Sequence, residues 1–283
     1  MTSQSGDRKE LVHTVLRLAE QAGAEAMRFY HGRASFSLKS DSSPLTDADR
    51  ASHDFILQFL PGLIPGIPVI SEESQDPTYG PADLDGCFWL VDPLDGTKEF
   101  LKGTGEFTVN IALIENRRAV AGVVHAPAIG LTYFADLENG AFRQQGTESP
   151  VPIRVQRANR EHLRVVASKD HAGPLVAAML RRLPNVELKS MGSSLKFCLV
   201  AEGAADVYLR DVPTMEWDTA AAQCVVEAAG GRICTLDGQP LRYGKPGLKN
   251  PAIITVGDPD LAWPTLLDEE LLTEHTPTRS AAN

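Results

Sequence analysis

Long apolar runs are absent from the sequence, and its cysteines are few and scattered. No stretch approaches the roughly 20 apolar residues that a membrane-spanning helix needs, and residues 1–11 are polar. We therefore expect neither a transmembrane helix nor a signal peptide. The absence of a Cys-x-x-Cys pair disfavours a cysteine-rich zinc site and favours reduced, buried thiols in a cytoplasmic protein. The cysteines are Cys87, Cys198, Cys224 and Cys234.

Basic residues are too few for a protein that binds nucleic acid over a broad surface. The chain has 27 Lys and Arg residues against 37 Asp and Glu residues, and its formal net charge is −10. A nucleic-acid binder needs a basic face to neutralise phosphates, so we expect no nucleic-acid partner. A polyanionic substrate would have to be held by metal ions or by a few local Lys and Arg side chains.

Hydrophobic periodicity predicts an α+β N-terminal half. Apolar residues at three- and four-residue spacing indicate one helix over residues 8–30 and a second from Thr46 to the Pro-Gly pair at 61–62. Residues 31–44 between them are polar and turn-rich. Short apolar runs are typical of buried strands, and the series of them over residues 107–142 predicts an antiparallel meander. The predicted strands are 67–70, 88–91, 107–114, 119–125 and 131–135.

Beyond about residue 160, strand and helix patterns alternate, which is typical of an α/β half. We predict an N-terminal half over residues 1–155, a C-terminal half over 156–264 and a flexible tail over 265–283. The predicted segments of the second half are 163–167, 173–182, 186–190, 194–202, 206–210, 217–229, 231–235 and 252–256.

The hexapeptide Asp-Pro-Leu-Asp-Gly-Thr at 92–97 carries the strongest chemical signal. Its proline fixes φ and keeps Asp92 out of helix, so the turn can direct Asp92, Asp95 and the Leu94 carbonyl to one place. Oxygen ligands of this kind suit hard cations such as Mg²⁺. An Asp-capped turn without a metal would explain a shorter pattern, but the complete hexapeptide argues against it. Gly96 permits close approach of the backbone, and Thr97 supplies a hydroxyl group.

Three other acidic segments have both a structural and a functional interpretation. Glu72 and Glu73 follow an apolar strand, and adjacent carboxylates repel unless a cation is near. Asp47 and Asp49 open a helix, where acidic residues are favourable without any function. Asp218 also opens an apolar helix, and the same alternative holds for it.

Taken in chain order, these segments resemble the inositol monophosphatase superfamily of lithium-sensitive, Mg²⁺-dependent phosphomonoesterases, over about residues 8–260. The resemblance implies an α/β protein with a layered αβαβα sugar-phosphatase fold. It implies that the site binds two or three Mg²⁺ ions and is inhibited by Li⁺. It also implies that Asp49, Thr97 and Glu72 are catalytic residues that act on the attacking water. Glu73 and Asp47 would not bind the metal ions directly but would orient the residues or waters that do. The implied metal ligands are Glu72, Asp92, the Leu94 carbonyl, Asp95 and Asp218.

Two segments are similar to one subgroup, the bacterial 3′(2′),5′-bisphosphate nucleotidases of the CysQ type. These are residues 191–203 and the Lys98-Glu99 pair after the hexapeptide. The implied substrate is adenosine 3′,5′-bisphosphate, a by-product of sulfate assimilation, cleaved to AMP and phosphate. Phosphorylated adenylyl sulfate is a second implied substrate.

Such a nucleotide keeps a second phosphate that the metals do not hold, and this group needs cationic or amide partners. Lys196 follows a Gly-Ser-Ser segment, although an ordinary exposed lysine is the alternative. Tyr208 and Arg210 would border the base or phosphate, or else lie at the surface. His171 belongs to a segment that departs from the subgroup's pattern at Asp170. The predicted substrate contacts are Gly96, Thr97, Ser168, His171, Ser193, Ser194, Lys196, Arg210 and Asp218.

Other substrates of the same superfamily remain alternatives: inositol monophosphate, histidinol phosphate and fructose 1,6-bisphosphate. A catalytically inactive metal-binding scaffold is a more distant one. We expect a small-molecule substrate, no obligate protein partner, and a monomer or homodimer. Peripheral attachment to the cytoplasmic face of the inner membrane stays open, although the sequence shows no basic amphipathic helix.

Overall fold

The computed structural model describes residues 3–30, 36–38, 44–74, 84–167, 173–183 and 185–267. No helix in these ranges combines the length and the apolar character needed to cross a bilayer. The described helices are α1 Ser3–Met27, α2 Asp47–Phe59, α3 Thr97–Lys102, α4 Pro174–Arg182, α5 Leu195–Ala201 and α6 Ala220–Ala228.

A hairpin, β1–β2, precedes a seven-stranded sheet in which the strands follow one another in chain order. The first pair of the sheet, β3 and β4, is parallel, and every later pair is antiparallel. The strands are β1 Phe36–Leu38, β2 Pro44–Thr46, β3 Val69–Ser71, β4 Cys87–Asp95, β5 Thr108–Glu115, β6 Arg118–Ala126, β7 Leu131–Asp136, β8 Gly140–Gln145 and β9 Val151–Ile153.

A second sheet has five strands in the order β11-β10-β12-β16-β14, and a two-stranded ribbon pairs β13 with β15. Strand β10 is parallel to both of its neighbours, whereas β16 runs antiparallel to its own. The strands are β10 Leu163–Ala167, β11 Val186–Ser190, β12 Val207–Arg210, β13 Thr214–Met215, β14 Arg232–Thr235, β15 Lys249–Asn250 and β16 Ile253–Val256.

Alternating side chains of each sheet enter two different cores, because successive strand residues point to opposite faces. In β4, Trp89 and Val91 pack against α1 and α2, whereas Phe88 and Leu90 pack against α5 and α6. The second sheet covers the other side of α5 and α6 and carries α4 on its far face. The resulting order of layers is helix, sheet, helix, sheet, helix, as predicted.

Helix α6 lies unusually close to the seven-stranded sheet at Gly122 of β6. A Cβ atom at this position would lie 2.4 Å from the carbonyl oxygen of Ala221. Only glycine permits this approach, since no side-chain atom fits between the two backbones. The contact packs the start of α6 against the middle of the sheet, where Gly122 pairs with Ala112 of β5.

The predicted elements agree with the structure in type, with differences at their ends. Helix α1 begins at Ser3 rather than residue 8, because its first turns are polar and show no apolar period. Within the stretch 31–44, predicted as turns, Phe36–Leu38 and Pro44 belong to the antiparallel strands β1 and β2, and the other residues lie outside the described ranges. Helix α3 and strands β8 and β9 were not predicted, since each is short and only partly buried. All four cysteines are free thiols, and Cys87 is half-buried whereas the others are buried. The division at residue 155 stays a prediction.

Candidate active site

The hexapeptide turn ends β4 at a bulge in its pairing with β5. Asp92 lies opposite Asn110, and the register then shifts before Asp95 pairs with Thr108. The Asp92 side chain is 1 % exposed, and its Oδ1 accepts a hydrogen bond of 3.0 Å from the Leu94 amide. Gly96 follows with φ of +93°, a left-handed conformation that strongly favours glycine. The bulge and the glycine turn the chain from β4 into α3.

Three carboxylates from distant segments meet at this turn. One oxygen each from Glu72, Asp92 and Asp218 lies within 4.8 Å of the other two. Glu72 directly follows β3, and its amide donates to the Val91 carbonyl over 3.1 Å, which continues the pairing with β4. Asp218 lies between β13 and α6, where its Oδ2 accepts from the Met215 amide over 2.8 Å.

Burial and mutual repulsion disfavour charge on this group. Burial, followed by the charges of Glu72, Asp95 and Asp218, raises the pKa of Asp92 well above its usual value. The pKa of Asp218 is likewise raised well above its usual value, by burial and then by Asp95 and Glu72. A divalent cation would reverse this effect, because it favours the ionised forms. The oxygen-only donor set therefore fits a hard divalent ion.

Asp95 lies beside the three carboxylates and is held by the start of α5. Its Oδ2 accepts from the Ser193 hydroxyl at 2.7 Å, the Ser194 amide at 2.6 Å and the Ser194 hydroxyl at 2.7 Å. The Asn110 amide nitrogen lies 3.4 Å from the same oxygen. Ser193 and Ser194, which were predicted to bind substrate, thus donate to Asp95. Their direct contact with substrate stays a prediction.

Asp49 contacts both the start of α2 and the hexapeptide turn. Its Oδ2 accepts from the Thr46 amide over 2.8 Å, and with the Thr46 hydroxyl it completes a capping box at the start of α2. Its Oδ1 accepts from the Thr97 hydroxyl over 3.3 Å. The same hydroxyl lies 3.4 Å from the Leu94 carbonyl oxygen. Thr97 therefore connects the cap of α2 to the hexapeptide turn.

Two further contacts hold α2 against β3 and β4. The buried Ser52 hydroxyl donates to the Pro93 carbonyl over 2.7 Å. The His53 ring nitrogen Nδ1 lies 2.9 Å from the Ser71 hydroxyl at the end of β3. Neither contact was predicted, because both residues belong to a regular helix and show no unusual spacing in the sequence.

A pocket next to the carboxylates contains most of the predicted substrate contacts. Lys196 is 6 % exposed and its Nζ lies 5.8 Å from the centre of the Tyr208 ring. Burial lowers the pKa of Lys196 to about 8, and the nearby Arg210 acts in the same direction whereas Asp95 opposes it. Tyr208 is buried, which excludes the alternative of a surface position. The predicted residues that line this pocket are Asp95, Gly96, Ser193, Ser194, Lys196, Tyr208, Arg210 and Asp218.

The chain is similar over most of its length to proteins of known family. Residues 7–270 match the model of the inositol monophosphatase family. The protein named 3′(2′),5′-bisphosphate nucleotidase CysQ from Salmonella typhimurium is 43 % identical over 82 % of this chain and 94 % of its own. The protein of that name from Escherichia coli strain K12 is 42 % identical over the same shares of the two chains, 82 % and 94 %.

A solved structure agrees with these relatives. The crystal structure of CysQ from Bacteroides thetaiotaomicron, described as a bacterial member of the inositol monophosphatase family, superposes with a TM-score of 0.76 at 38 % identity. The superposition covers 92 % of this chain and 99 % of that one.

This chain belongs to the inositol monophosphatase family. The family and the layered fold predicted from the sequence are thereby confirmed. Enzymes of this family use divalent metal ions, which agrees with the acidic group at the hexapeptide.

Four of the predicted site residues stay predictions, and one residue of the site was not predicted. Ser168 and His171 lie outside the described residues. Glu73 and Asp47 are half-buried, after β3 and in the first turn of α2. Asn110 was missed, although a polar residue within a buried apolar strand is a signal for it; its Nδ2 donates to the Ser194 hydroxyl over 2.9 Å.

Proposed function

We propose that this chain is a Mg²⁺-dependent phosphomonoesterase that removes the 3′-phosphate of adenosine 3′,5′-bisphosphate. The observation that supports the chemistry is the convergence of Glu72, Asp92 and Asp218 within 4.8 Å, beside a pocket that contains Lys196 and Arg210. The nucleotide substrate is supported by relatives named 3′(2′),5′-bisphosphate nucleotidase at 42–43 % identity.

The proposed metal ligands are Glu72, Asp92, the Leu94 carbonyl, Asp95 and Asp218. When bound, two or three Mg²⁺ ions would lower the pKa of the attacking water and neutralise charge on the phosphate. The protein supplies buried carboxylates whose mutual repulsion such ions relieve. Lithium, with a single charge, would compete for these ligands and inhibit the enzyme.

Thr97 and Asp49 are proposed to position the attacking water and to take up its proton. The Thr97 hydroxyl already donates its proton to Asp49 Oδ1. Its oxygen can therefore accept a hydrogen bond from the attacking water. A hydroxyl between a water and a carboxylate passes a proton along two hydrogen bonds. Glu72, at the end of β3, would orient the same water.

Lys196 and Arg210 are proposed to hold the phosphate that is not cleaved. Both cations line the pocket next to Asp95, and Lys196 is buried there with its Nζ 5.8 Å from the centre of the Tyr208 ring. A phosphate would balance this buried charge. Among substrates of the family, a bisphosphate satisfies both the carboxylate site and these cations, whereas inositol monophosphate has no second phosphate.

Release of phosphate from three substrates in parallel tests this proposal. The purified enzyme with Mg²⁺ is given adenosine 3′,5′-bisphosphate, inositol 1-phosphate or fructose 1,6-bisphosphate, and kcat/KM is measured for each. We expect the nucleotide to be preferred, and Lys196→Met to raise its KM while changing that of inositol 1-phosphate little. A preference for either sugar phosphate would overturn the nucleotide assignment, and no hydrolysis of any substrate would overturn the phosphatase assignment.

We further propose that the enzyme acts in the cytoplasm on the nucleotide left over from sulfate assimilation, as a monomer or homodimer. Gel filtration with light scattering measures the oligomeric state directly. Growth of a strain that lacks the gene, on sulfate and on cysteine, tests the connection to sulfur metabolism.

A further inference from the structure

An arginine-lined pocket lies away from the candidate active site, at the opposite end of helix α6 from Asp218. Arg118 at the start of β6, Arg232 at the start of β14 and Arg242 after β14 come from three separate segments and line it together. Gln223 and Glu227 of α6 form one wall. Such a concentration of guanidinium groups stands out in a chain with a formal net charge of −10.

The charge in this pocket is not balanced by its own residues. Glu227 is the one acidic residue among the described residues that line the pocket, and its carboxylate already binds Arg118 at 2.9 Å and the Gln223 amide at 2.6 Å. Two of the three arginines thus remain without a carboxylate in the pocket lining. Guanidinium groups that converge from different segments are suited to a planar or tetrahedral oxyanion.

A second observation points to a ligand at Arg232. Its Nε atom is buried and has no hydrogen-bond partner among the residues that the structure describes. A buried donor without a partner is costly, and native structures rarely leave one unsatisfied. The Arg232 side chain is half-buried as a whole and lines the pocket at the start of β14.

We propose that the pocket formed by Arg118, Arg232 and Arg242 is a second binding site, which takes a phosphate or sulfate group. It is separate from the active site, because α6 has Asp218 immediately before its start and Glu227 near its end. The proposal is independent of the function proposed above. The ligand is either a free inorganic anion or the corresponding group on a nucleotide.

Isothermal titration of the full chain with Mg²⁺ tests the site, with inorganic phosphate, inorganic sulfate and AMP as probes at constant ionic strength. We expect two phosphate sites per wild-type chain. Arg232→Gln and Arg242→Gln should each weaken one of them at least about tenfold. Arg157→Gln, which removes the same charge from an exposed position outside the pocket, should leave both sites intact.

Circular dichroism and Tm show whether each variant folds, and Arg242 is exposed enough that its replacement should not disturb the core. Tighter binding of AMP than of phosphate through these arginines would identify a nucleotide as the ligand, whereas equal binding would identify the free anion. Unchanged phosphate binding in both Arg232→Gln and Arg242→Gln would overturn the proposal. A single wild-type site that both variants weaken would support it and count instead against phosphate binding at the candidate active site.

Discussion

The Thr97 hydroxyl donates to Oδ1 of Asp49 over 3.3 Å, while the other oxygen of that carboxylate caps helix α2. One side chain thus stabilises a helix terminus and contacts the hexapeptide turn. Because the two oxygens have different partners, substitutions can separate the two roles.

Replacement of Thr97 by valine should lower kcat by about 10²–10⁴, since the hydroxyl that relays the proton is lost while the shape is kept. Thr97→Ser retains a hydroxyl and should keep most of the activity. Asp49→Asn should also lose turnover but keep its Tm within a few degrees, because an amide oxygen still caps α2. Steady-state kinetics and thermal melts measure both effects, and a fully active Thr97→Val enzyme contradicts the assigned role.

Asp95→Asn should lower turnover at least ~100-fold and weaken the dependence on Mg²⁺. The fold should survive, because the amide oxygen still accepts hydrogen bonds from Ser193 and Ser194. Titration of activity against Mg²⁺ measures the change. Asp260→Asn, at an exposed position, is the matched control, and near-normal activity of Asp95→Asn would exclude Asp95 from the ligand set.

Millimolar LiCl should inhibit the enzyme, whereas NaCl at the same concentration should not. Li⁺ carries too little charge to replace Mg²⁺ in stabilising the reaction. Initial rates at several Mg²⁺ concentrations show whether the two ions compete. An enzyme insensitive to Li⁺ would count against membership of the nucleotidase subgroup but not against phosphatase chemistry.

Buried His125 should make the protein less stable in acid. Burial lowers its pKa from 6.5 to about 4, and its Nδ1 lies 2.8 Å from the Thr132 hydroxyl. The unfolded chain therefore binds a proton at higher pH than the folded one, so stability is fully present above pH 6.5 and is lost as the pH falls towards 4.

The loss amounts to on the order of 3 kcal/mol for this residue. Urea unfolding at pH 7 and pH 4.5 measures it. His125→Gln removes the titrating group, so its free energy of unfolding should fall less between the two pH values than that of the wild type. Equal falls in both proteins would show that other groups cause the acid sensitivity.

Gly122→Ala should destabilise the protein by about 1–3 kcal/mol, because the new methyl group meets the backbone of Ala221 at 2.4 Å. Displacement of α6 would also move Asp218, so kcat should fall. Gly86→Ala is the control, since a Cβ at Gly86 meets no atom within 4 Å. Equal stability of the two variants would contradict the close packing of α6 on β6.

The chemistry of the site was largely predictable, because it depends on local residue order. The hexapeptide predicted a turn with carboxylates, and Thr46 with Asp49 predicted a helix start. Strand and helix types followed from periodicity. The environment of Lys196 was not predictable, because its Nζ lies beside the ring of Tyr208, which belongs to a different element. The role of Asn110 depends in the same way on the register between β4 and β5.

The sequence by itself determined which residues could bind a metal and which backbone conformations they adopt, since those properties are set within a few positions of each residue. Only the tertiary structure decided that Glu72, Asp92 and Asp218 meet, that Asp95 is held by Ser193 and Ser194, and that three arginines converge at the far end of α6. The physical reason is that proximity of distant segments depends on strand register and on the packing of helices between two sheets, and neither is encoded in a short window of sequence.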